Sequence, residues 1–299
     1  NLISKFSEVH LISYEKVALT NIEKNNISSK FISPKIKWSS KKYHKSPRML
    51  ATIYDVLSMV YLLILDRQKN NIHYIHCRSY VTCFAAFCYS LLFSRVRYIF
   101  DMRAFWPDEM VTGKTLKKTS FLYSILKKIE NFLISYSYST IVLTDAARIY
   151  LLSKSEFNHK KIFTIPTCVD HVKFDERNLK SDLIISNNIV IGTFGTINSG
   201  WFMMKEFANF LSLFKTINPK TIFRIVTQDN PEQLLSQFSS FGINKDDVEI
   251  YSASSNKMPE EIVKFDIVIM FFVSNFSKLG SAPTRFGEAL ASGIPCVVN

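Results

Sequence analysis

The sequence is poor in glycine and cysteine and has no long hydrophobic run. Only 8 of its 299 residues are glycine, which excludes a collagen-like polymer, and neither a GxGxxG loop nor a Walker loop occurs. The 5 cysteines are odd in number and lack CxxC spacing, so a reducing compartment fits better than a disulfide scaffold. The longest uncharged run, residues 79–94, has 16 residues, short of the roughly 20 that cross a bilayer. It predicts a buried helix, with a re-entrant or interfacial helix as the alternative.

Acidic residues are scarce in the first part of the chain only. Residues 1–180 carry 28 Lys/Arg against 14 Asp/Glu, a net charge of +14, whereas residues 181–299 carry 9 against 11, a net charge of −2. This asymmetry predicts two bodies with different partners. The basic body would face something anionic, such as phospholipid, a phosphorylated substrate or nucleic acid, unless its charge serves only solubility.

Short β-branched or aromatic segments alternate with longer helical patterns, which is typical of parallel sheets built from βα units. Strands are predicted at 9–13, 72–76, 98–102, 140–144, 161–165, 189–194, 222–227, 248–251, 267–270 and 295–298. Helices are predicted at 50–67, 80–93, 116–135, 146–154, 203–215, 231–241 and 284–292. The βα rhythm restarts after a polar stretch at 175–188, so we expect an α/β protein of two Rossmann-like domains, 1–180 and 181–299.

Both ends of the sequence look cut. The first residue is Asn, and the strand predicted at 295–298 ends one position before the last residue. We therefore expect a fragment that is truncated at both ends.

Polar side chains follow three predicted strands of the first domain, in HCRSY (76–80), FDMRAFWPDE (100–109) and LTDAA (143–147). Ligands bind at the carboxyl ends of the strands in such sheets, so these residues are candidates for a site. Asp101 and Arg103 should point the same way, either as a pair that caps a helix or as the floor of an acceptor site. Trp106 and Pro107 are assigned to the loop beyond. In LTDAA, Thr144 or Asp145 is expected to cap a helix.

A strongly basic segment, residues 35–48 (KIKWSSKKYHKSPR), contains six cationic residues and no acidic one. It fits a solvated loop, a membrane-surface patch or a nucleic-acid contact. An exposed apolar face on the helix at 50–65 would favour the membrane.

The second domain contains two candidate phosphate-binding segments. The first, IVIGTFGTINSGW (189–201), is a strand that runs into a glycine-containing loop and a helix. In the second, SAPTRFGEALASGIPCVVN (281–299), Thr284, Arg285 and Glu288 occupy the start of a short helix. An Arg at a helix N-terminus opposes the helix dipole, so the arginine and the helix N-terminus would both serve one anionic ligand. The alternative is an exposed Arg–Glu pair.

No group of residues has the spacing of a metal site. His73 and His76 are three apart on a strand and point to opposite faces, and no DxD motif occurs. No metal and no other cofactor is expected.

The segment SAPTRFGEALASGIPCVV resembles the donor-binding signature of family 4 retaining glycosyltransferases, which have the GT-B fold of two Rossmann-like domains. IHCRSYVTCFAA, FDMRAFWPDEMVTGK and IPTCVD are similar to segments of a bacterial subgroup of that family, which carries RSY, FDMRGFWADE and IPTCVD. The resemblance covers about residues 70–299.

This resemblance implies transfer of a sugar from a nucleotide-sugar donor to a saccharide or lipid-linked acceptor, with retention at the anomeric carbon, in the synthesis of surface polysaccharide or glycolipid. Arg285 and Glu288 would be the catalytic residues, with Glu288 on the ribose and Arg285 on the diphosphate. The implied donor-binding residues are Gly195, Thr196, Gly200, Thr227, Pro283, Thr284, Arg285 and Glu288. The implied acceptor-side residues are Arg78, Asp101, Arg103 and Trp106.

The sequence departs from the family in three ways. Gly280 stands where the family has a glutamate eight residues before Glu288. The usual Arg and Lys pair after the first donor-domain strand is missing, with Lys205 as the candidate substitute. The first strand of the fold and its last donor-domain elements are also missing, which leaves open whether the fragment turns over.

The resemblance also implies a cytoplasmic protein, with a peripheral position at the inner face of the cell membrane as an option through the basic domain. A non-catalytic nucleotide-binding module remains an alternative because of Gly280. A nucleic-acid-binding protein is a weaker one, and no nucleic-acid partner is expected.

Overall fold

The computed structural model describes residues 3–29, 33–69, 71–175 and 188–299. The chain divides into two compact units, Asn1–Tyr98 and Ile99–Asn299. The predicted domain boundary between 180 and 181 lies outside the described residues and stays a prediction.

The described part of unit 1 contains three strands and three helices that follow the βα order. Its elements are β1 (Val9–Glu15), α1 (Asn21–Ser28), β2 (Ile36–Lys42), α2 (Arg48–Lys69), β3 (Tyr74–Arg78) and α3 (Tyr80–Leu92), after a short 3-10 helix at Ile3–Lys5. β1 and β2 pair in parallel, with Leu11 opposite Trp38. α3 is the helix predicted from the uncharged run, and Cys83, Ala86 and Tyr89 on it are buried.

Strand β2 corrects the loop alternative for the basic segment. Ile36 and Trp38 alternate with the exposed Lys35 and Lys37, and the Trp38 indole donates to Ser13 Oγ at 2.9 Å. Lysines on one face hid the two-residue period of a half-buried strand, because lysine is uncommon in strands.

Helix α2 turns an apolar face to solvent. The exposed side chains Leu50, Ile53, Tyr54, Leu57, Tyr61 and Leu65 follow helical spacing. The opposite face carries the buried Asp55, whose carboxylate accepts from His44 N at 3.1 Å and contacts His44 Nδ1 at 2.7 Å. The turn after β2 therefore lies against α2, and its His44 ring also meets the exposed Tyr54 ring edge-on, with 5.0 Å between ring centres.

Unit 2 contains two groups of parallel strands. The first part has β4 (Arg97–Asp101, which begins in unit 1), α4 (Trp106–Thr112), α5 (Phe121–Tyr136), β5 (Ser139–Val142), α6 (Asp145–Leu152) and β6 (Ile162–Thr164). β4 pairs with β5, and β5 with β6. The second part has β7 (Val190–Phe194), α7 (Met204–Ile217), β8 (Ile222–Val226), α8 (Pro231–Ser239), β9 (Val248–Tyr251), α9 (Met258–Ile262), β10 (Ile267–Met270), α10 (Thr284–Ala291) and β11 (Cys296–Val298), with 3-10 helices at Lys245–Asp247 and Phe276–Gly280.

The second group forms a five-stranded parallel sheet in the order β11-β10-β7-β8-β9. Every residue of the central strand β7 is buried, with apolar clusters on both faces of the sheet. A Cβ at Gly192 would lie 1.6 Å from the Arg224 carbonyl oxygen, so this glycine serves the close approach of β7 to β8.

Two sequence-based predictions in unit 2 need correction. Trp106 and Pro107 do not lie in a loop but begin helix α4, where Pro107, Asp108 and Glu109 occupy the first turn. Proline is common in a first helical turn and acidic residues stabilise that turn, so the residues themselves indicate a helix start here. The helix predicted from 116 begins only at Phe121, because the Ser120 side chain caps it by accepting from Tyr123 N.

Candidate functional site

A cleft of about 1060 Å³ lies at the carboxyl ends of β7 and β8 in unit 2. Its lining includes these predicted donor-binding residues: Gly195, Thr196, Thr227, Pro283, Thr284, Arg285 and Glu288. Gly200 is not in the lining, and a Cβ placed on it would lie 3.7 Å from Gly113 Cα. The structure thus brings together, in one cavity, the two segments that the sequence marked as phosphate-binding.

Arg285 is held with part of its guanidinium uncommitted. Its Nη2 donates to the Thr196 carbonyl oxygen at 3.1 Å, and its Cζ lies 5.4 Å from the centre of the Phe272 ring. Nη1 is buried and has no hydrogen-bond partner among the described residues. A buried donor without an acceptor is costly, so this nitrogen fits an anion that enters the cleft.

The charges around Arg285 match that interpretation. Burial lowers the pKa of the Arg285 guanidinium from its ordinary value, against the opposing charges of Glu288 and Asp229. Burial raises the pKa of Glu288, with the charges of Lys173 and Arg285 acting against it. Arg285 and Glu288 form no ion pair in the described chain, so the alternative of a simple Arg–Glu pair is not what the structure contains.

Helix α10 begins without a side-chain cap. Pro283 is the N-cap and has no hydroxyl or carboxylate to accept from the first turn. Thr284 and Arg285 are the first helical residues, and both line the cleft. The cleft therefore contains the positive end of a helix dipole next to an arginine, and both favour a negative group.

The loop after β7 requires its glycine. Gly195 has a φ of +84°, and a Cβ there would lie 3.0 Å from Arg285 Cζ. A larger residue would strain the backbone and displace the guanidinium.

Asp229 is a site residue that sequence analysis missed. Its Oδ2 accepts from Ile197 N at 2.7 Å, from Asn198 N at 3.0 Å and from Thr227 Oγ1 at 2.9 Å. Burial acts to raise the pKa of Asp229, but these hydrogen bonds and the Arg285 charge hold it below its ordinary value. Asp229 therefore fixes the loop that Arg285 contacts, and one signal could have revealed it: an Asp just beyond a strand end.

Thr227 lines the cleft, but its hydroxyl is engaged within the protein. It donates to Asp229 Oδ2 at 2.9 Å and accepts from Asp229 N at 3.0 Å. The predicted contact of Thr227 with a base or ribose stays a prediction.

The IPTCVD segment lies against the start of α10. Thr167 Oγ1 donates to the Ala282 carbonyl oxygen at 3.1 Å, and a Cβ at Gly287 would lie 3.8 Å from Val169 Cβ. The start of α10 is thus supported by a segment that lies more than 100 positions earlier in the sequence.

The predicted acceptor-side residues are outside this cleft lining. Asp101 and Arg103 pair, with 3.5 Å between Asp101 Oδ1 and Arg103 Nη1, and Trp106 is half-buried at the start of α4. Arg78 is exposed at the end of β3 in unit 1. Lys205 is exposed on α7 and does not line the cleft either.

Gly280 packs against Phe105, with no room for a side chain. A Cβ there would lie 3.1 Å from Phe105 Cδ2 and 3.2 Å from Phe105 N. Phe105 is itself stacked on Phe276, with 5.1 Å between ring centres, and meets Tyr150 edge-on. A side chain at position 280 would therefore have to displace Phe105 by a few tenths of an ångström.

A lysine close to Gly280 faces the cleft. Lys278 Nζ lies 3.9 Å from the centre of a Trp201 ring and 3.6 Å from Glu109 Oε1. Ser281 Oγ donates to the same Glu109 oxygen at 3.4 Å. Burial lowers the pKa of Lys278, against the charge of Glu109.

Among the described residues, no three His, Cys, Asp or Glu side chains are grouped as metal ligands. The expectation of no metal stays a prediction. Searched over the same residues, no helix combines the length and apolar character needed to span a bilayer. Thr144 caps α6 as predicted, accepting from Ala147 N at 3.1 Å.

The fold is α/β with parallel sheets and is of the GT-B type, which consists of two Rossmann-like domains. No family model and no curated protein sequence matches the chain.

Solved structures of glycosyltransferases are similar to it in fold. Sucrose-phosphate synthase from Thermosynechococcus elongatus has a TM-score of 0.66 at 11% identity, over 99% of this chain and 72% of that one. A glycosyltransferase from Rickettsia africae has 0.65 at 12%, over 96% and 70%. Anabaena HepE, solved with UDP and glucose, has 0.59 at 14%, over 96% and 72%. At these identities the likeness establishes the fold alone.

Proposed function

We propose that the chain is the sugar-transferring part of a glycosyltransferase that uses a nucleotide-sugar donor and retains the anomeric configuration. The acceptor would be a saccharide or a lipid-linked saccharide, in surface polysaccharide or glycolipid synthesis by a bacterium. The observation that carries the proposal is the buried, unpartnered Nη1 of Arg285 beside the uncapped start of α10. The glycosyltransferase neighbours and the resemblance of SAPTRFGEALASGIPCVV support it.

In this proposal Arg285 and the first turn of α10 bind the donor diphosphate. Negative charge develops on the diphosphate as the sugar leaves, and donors already fixed in place stabilise that charge without rearranging. Glu288 lines the same cleft three residues along α10, where its carboxylate would accept hydrogen bonds from the ribose hydroxyls. Burial raises the pKa of Glu288, so its ionised form gains from such donors.

No carboxylate is placed at position 280 to act on the sugar, so we propose that the attacking hydroxyl approaches on the same face as the leaving diphosphate. That course retains the configuration without a covalent intermediate. The acceptor would lie near Asp101, Arg103 and Trp106 of unit 2.

We also propose that unit 1 binds an anionic membrane surface, in the cytoplasm at the inner face of the cell membrane. Tyr54 on the exposed apolar face of α2 meets the His44 ring of the turn that follows the basic strand β2, with 5.0 Å between ring centres. An apolar face that inserts at the headgroup level and lysines that meet lipid phosphates are complementary to such a surface.

The donor site is tested by thermal shift with UDP, GDP, CMP and ADP on the unaltered chain, on Arg285→Ala and on Glu288→Gln. We expect one nucleotide to stabilise the unaltered chain and both variants to lose that shift. A ligand at about 100 times its dissociation constant adds roughly 2.7 kcal/mol to the free energy of unfolding. The sugar released from the matching nucleotide-sugar, read by NMR before mutarotation, then reports retention.

Lys215→Met is the matched control, because it removes a cation that pairs with Asp247 at 2.6 Å and does not line the cleft. It should keep the full shift. Stabilisation by none of the four nucleotides, or an equal shift in all variants, would contradict the proposal.

A second candidate is a nucleotide-binding module without catalysis. Gly280 favours this second candidate, because a glycine has no carboxylate to lie near the sugar as in related enzymes, and Phe105 packs against its backbone. Nucleotide binding that Arg285→Ala abolishes, without release of sugar from any matching donor, would support this candidate over the first.

A further inference from the structure

The donor cleft contains a second cation that the sequence analysis did not identify. Lys278 lines the cleft together with Arg285, and its side chain is 23% exposed. The sequence lacks the usual Arg and Lys pair after β7, and Lys205 on α7 is exposed and does not line the cleft.

Lys278 is held in place by two different contacts. The Trp201 ring supports its ammonium group at 3.9 Å, an arrangement that stabilises a cation over an aromatic face. Glu109 Oε1 lies 3.6 Å from Nζ, which is long for a charge-assisted hydrogen bond. Glu109 also accepts from Ser281 Oγ, so its carboxylate is shared and does not bind the lysine tightly.

Lys278 is partly buried, and among the described residues its one carboxylate acceptor, Glu109, lies at a long distance. An ammonium group has three donors, and the two contacts use at most one of them in a hydrogen bond. Burial lowers the pKa of Lys278, which means that the charged form lacks compensation, and an anion in the cleft would supply it.

We propose that Lys278 binds the diphosphate of the donor as the second cation beside Arg285, and that Glu109 positions it. This inference rests on the proposed function, because it takes the cleft to be the donor site. Lys278 comes from the 3-10 helix before α10, so the chain would neutralise the diphosphate from a different loop than its relatives do.

A carboxylate on the donor sugar would be a chemically similar partner. The diphosphate is favoured because Lys278, Arg285 and the open start of α10 line one cleft, and each of the three favours an anion. The test distinguishes the two sources by using UDP, which has no sugar, and UDP-glucuronate, whose sugar is acidic.

The experiment measures dissociation constants by calorimetry for the full chain and for Lys278→Met, Lys278→Arg and Lys215→Met. UDP is the probe, with GDP and ADP as replacements if the unaltered chain does not bind it. We expect Lys278→Met to weaken UDP binding at least about tenfold, as loss of a charged hydrogen bond does. Lys278→Arg keeps the positive charge and should bind UDP more tightly than Lys278→Met, and uridine affinity and the Lys215→Met control should not change.

The positioning role of Glu109 has its own readout. Because Glu109 raises the pKa of Lys278, Glu109→Gln should move the alkaline loss of UDP affinity to lower pH. A structural role alone would lower the melting temperature without moving that pH profile.

Three results separate the ideas. Nucleotide binding that Arg285→Ala abolishes and Lys278→Met leaves unchanged overturns this inference and keeps the proposed function. If Lys278→Met weakens the binding of UDP-glucuronate but not of UDP, the diphosphate assignment is overturned in favour of a sugar carboxylate. Failure of the unaltered chain to bind UDP, GDP or ADP overturns this inference, and failure to bind CMP as well overturns the proposed function.

Discussion

At the residue scale, the geometry of the cleft depends on hydrogen bonds and close contacts that fix a few groups in one orientation. Asp229 accepts three hydrogen bonds and thereby fixes the loop whose Thr196 carbonyl anchors Arg285. Gly195 leaves room for the same guanidinium. The arginine is oriented before any ligand arrives, which is the condition for electrostatic stabilisation without rearrangement.

We expect Asp229→Asn to weaken UDP binding and to lower the free energy of unfolding by about 1 to 2 kcal/mol at neutral pH, because hydrogen bonds to a charged acceptor are lost. The pKa of Asp229 is held below its ordinary value in the folded protein. Its ionised form therefore stabilises the fold above the pKa of the unfolded chain, and this contribution is lost as the pH falls through the lower, folded value.

Urea unfolding of both proteins at a series of pH values from 7 to 3 measures this difference. It should shrink as the pH falls below the ordinary value for Asp. A difference that is the same at pH 7 and pH 3 would show that the charge of Asp229 contributes nothing.

At the element scale, helix α4 is fixed to α5 by buried charges. Lys127 Nζ donates to Asp108 Oδ2 at 2.9 Å and also contacts the fully buried Glu130. The Tyr123 hydroxyl donates to Asp108 Oδ1 at 2.7 Å, and burial together with that carboxylate raises the pKa of Tyr123 to about 12. α4 carries Glu109, so this network also sets the position of the carboxylate beside Lys278.

Lys127→Met should lower the free energy of unfolding by about 3 to 5 kcal/mol, because it leaves two buried carboxylates without their cation. Chemical denaturation at pH 7 measures the change. The triple change Lys127→Met, Asp108→Asn and Glu130→Gln removes all three charges and should recover part of the loss. A single change that costs less than about 1 kcal/mol, as exposed pairs do, would contradict the network.

Helix α2 carries the membrane prediction. Ile53→Ser together with Leu57→Ser should reduce sedimentation with phosphatidylglycerol vesicles severalfold, because both side chains lie on the exposed apolar face. The folded state should keep its melting temperature, since neither side chain is buried.

Leu213→Ser together with Ile217→Ser, at exposed apolar positions of α7, is the matched control and should bind as before. Equal sedimentation of the unaltered chain with neutral phosphatidylcholine vesicles would exclude an anionic surface. Association of the chain with itself, lost in the α2 variant, would assign this face to a second copy instead.

At the scale of the whole molecule, the fold is kept at 11 to 14% identity with glycosyltransferases of known structure. A parallel sheet with helices on its faces needs apolar side chains of suitable volume at buried positions, and many sequences provide them. The polar residues at the strand ends are what differ between such proteins, so the chemistry of the cleft depends on those residues and not on the fold.

The sequence by itself determined the parallel α/β architecture, because apolar segments with a strand or helix period report burial directly. β7 and its neighbours were located to within a residue or two, and the two segments that meet in the cleft were located from glycine, proline and arginine at their strand and helix ends. Helix α1 and strand β2 were missed because their residues are polar and their periods are short.

Only the tertiary structure decided which residues share the cleft. Glu109 and Lys278 are 169 positions apart and meet through the packing of Phe105 against Gly280, which no local pattern encodes. The unpartnered nitrogen of Arg285 and the three hydrogen bonds of Asp229 are likewise properties of a folded loop. Sequence periodicity reports how one segment meets the core, whereas a binding site depends on distances between segments, and folding alone sets those distances.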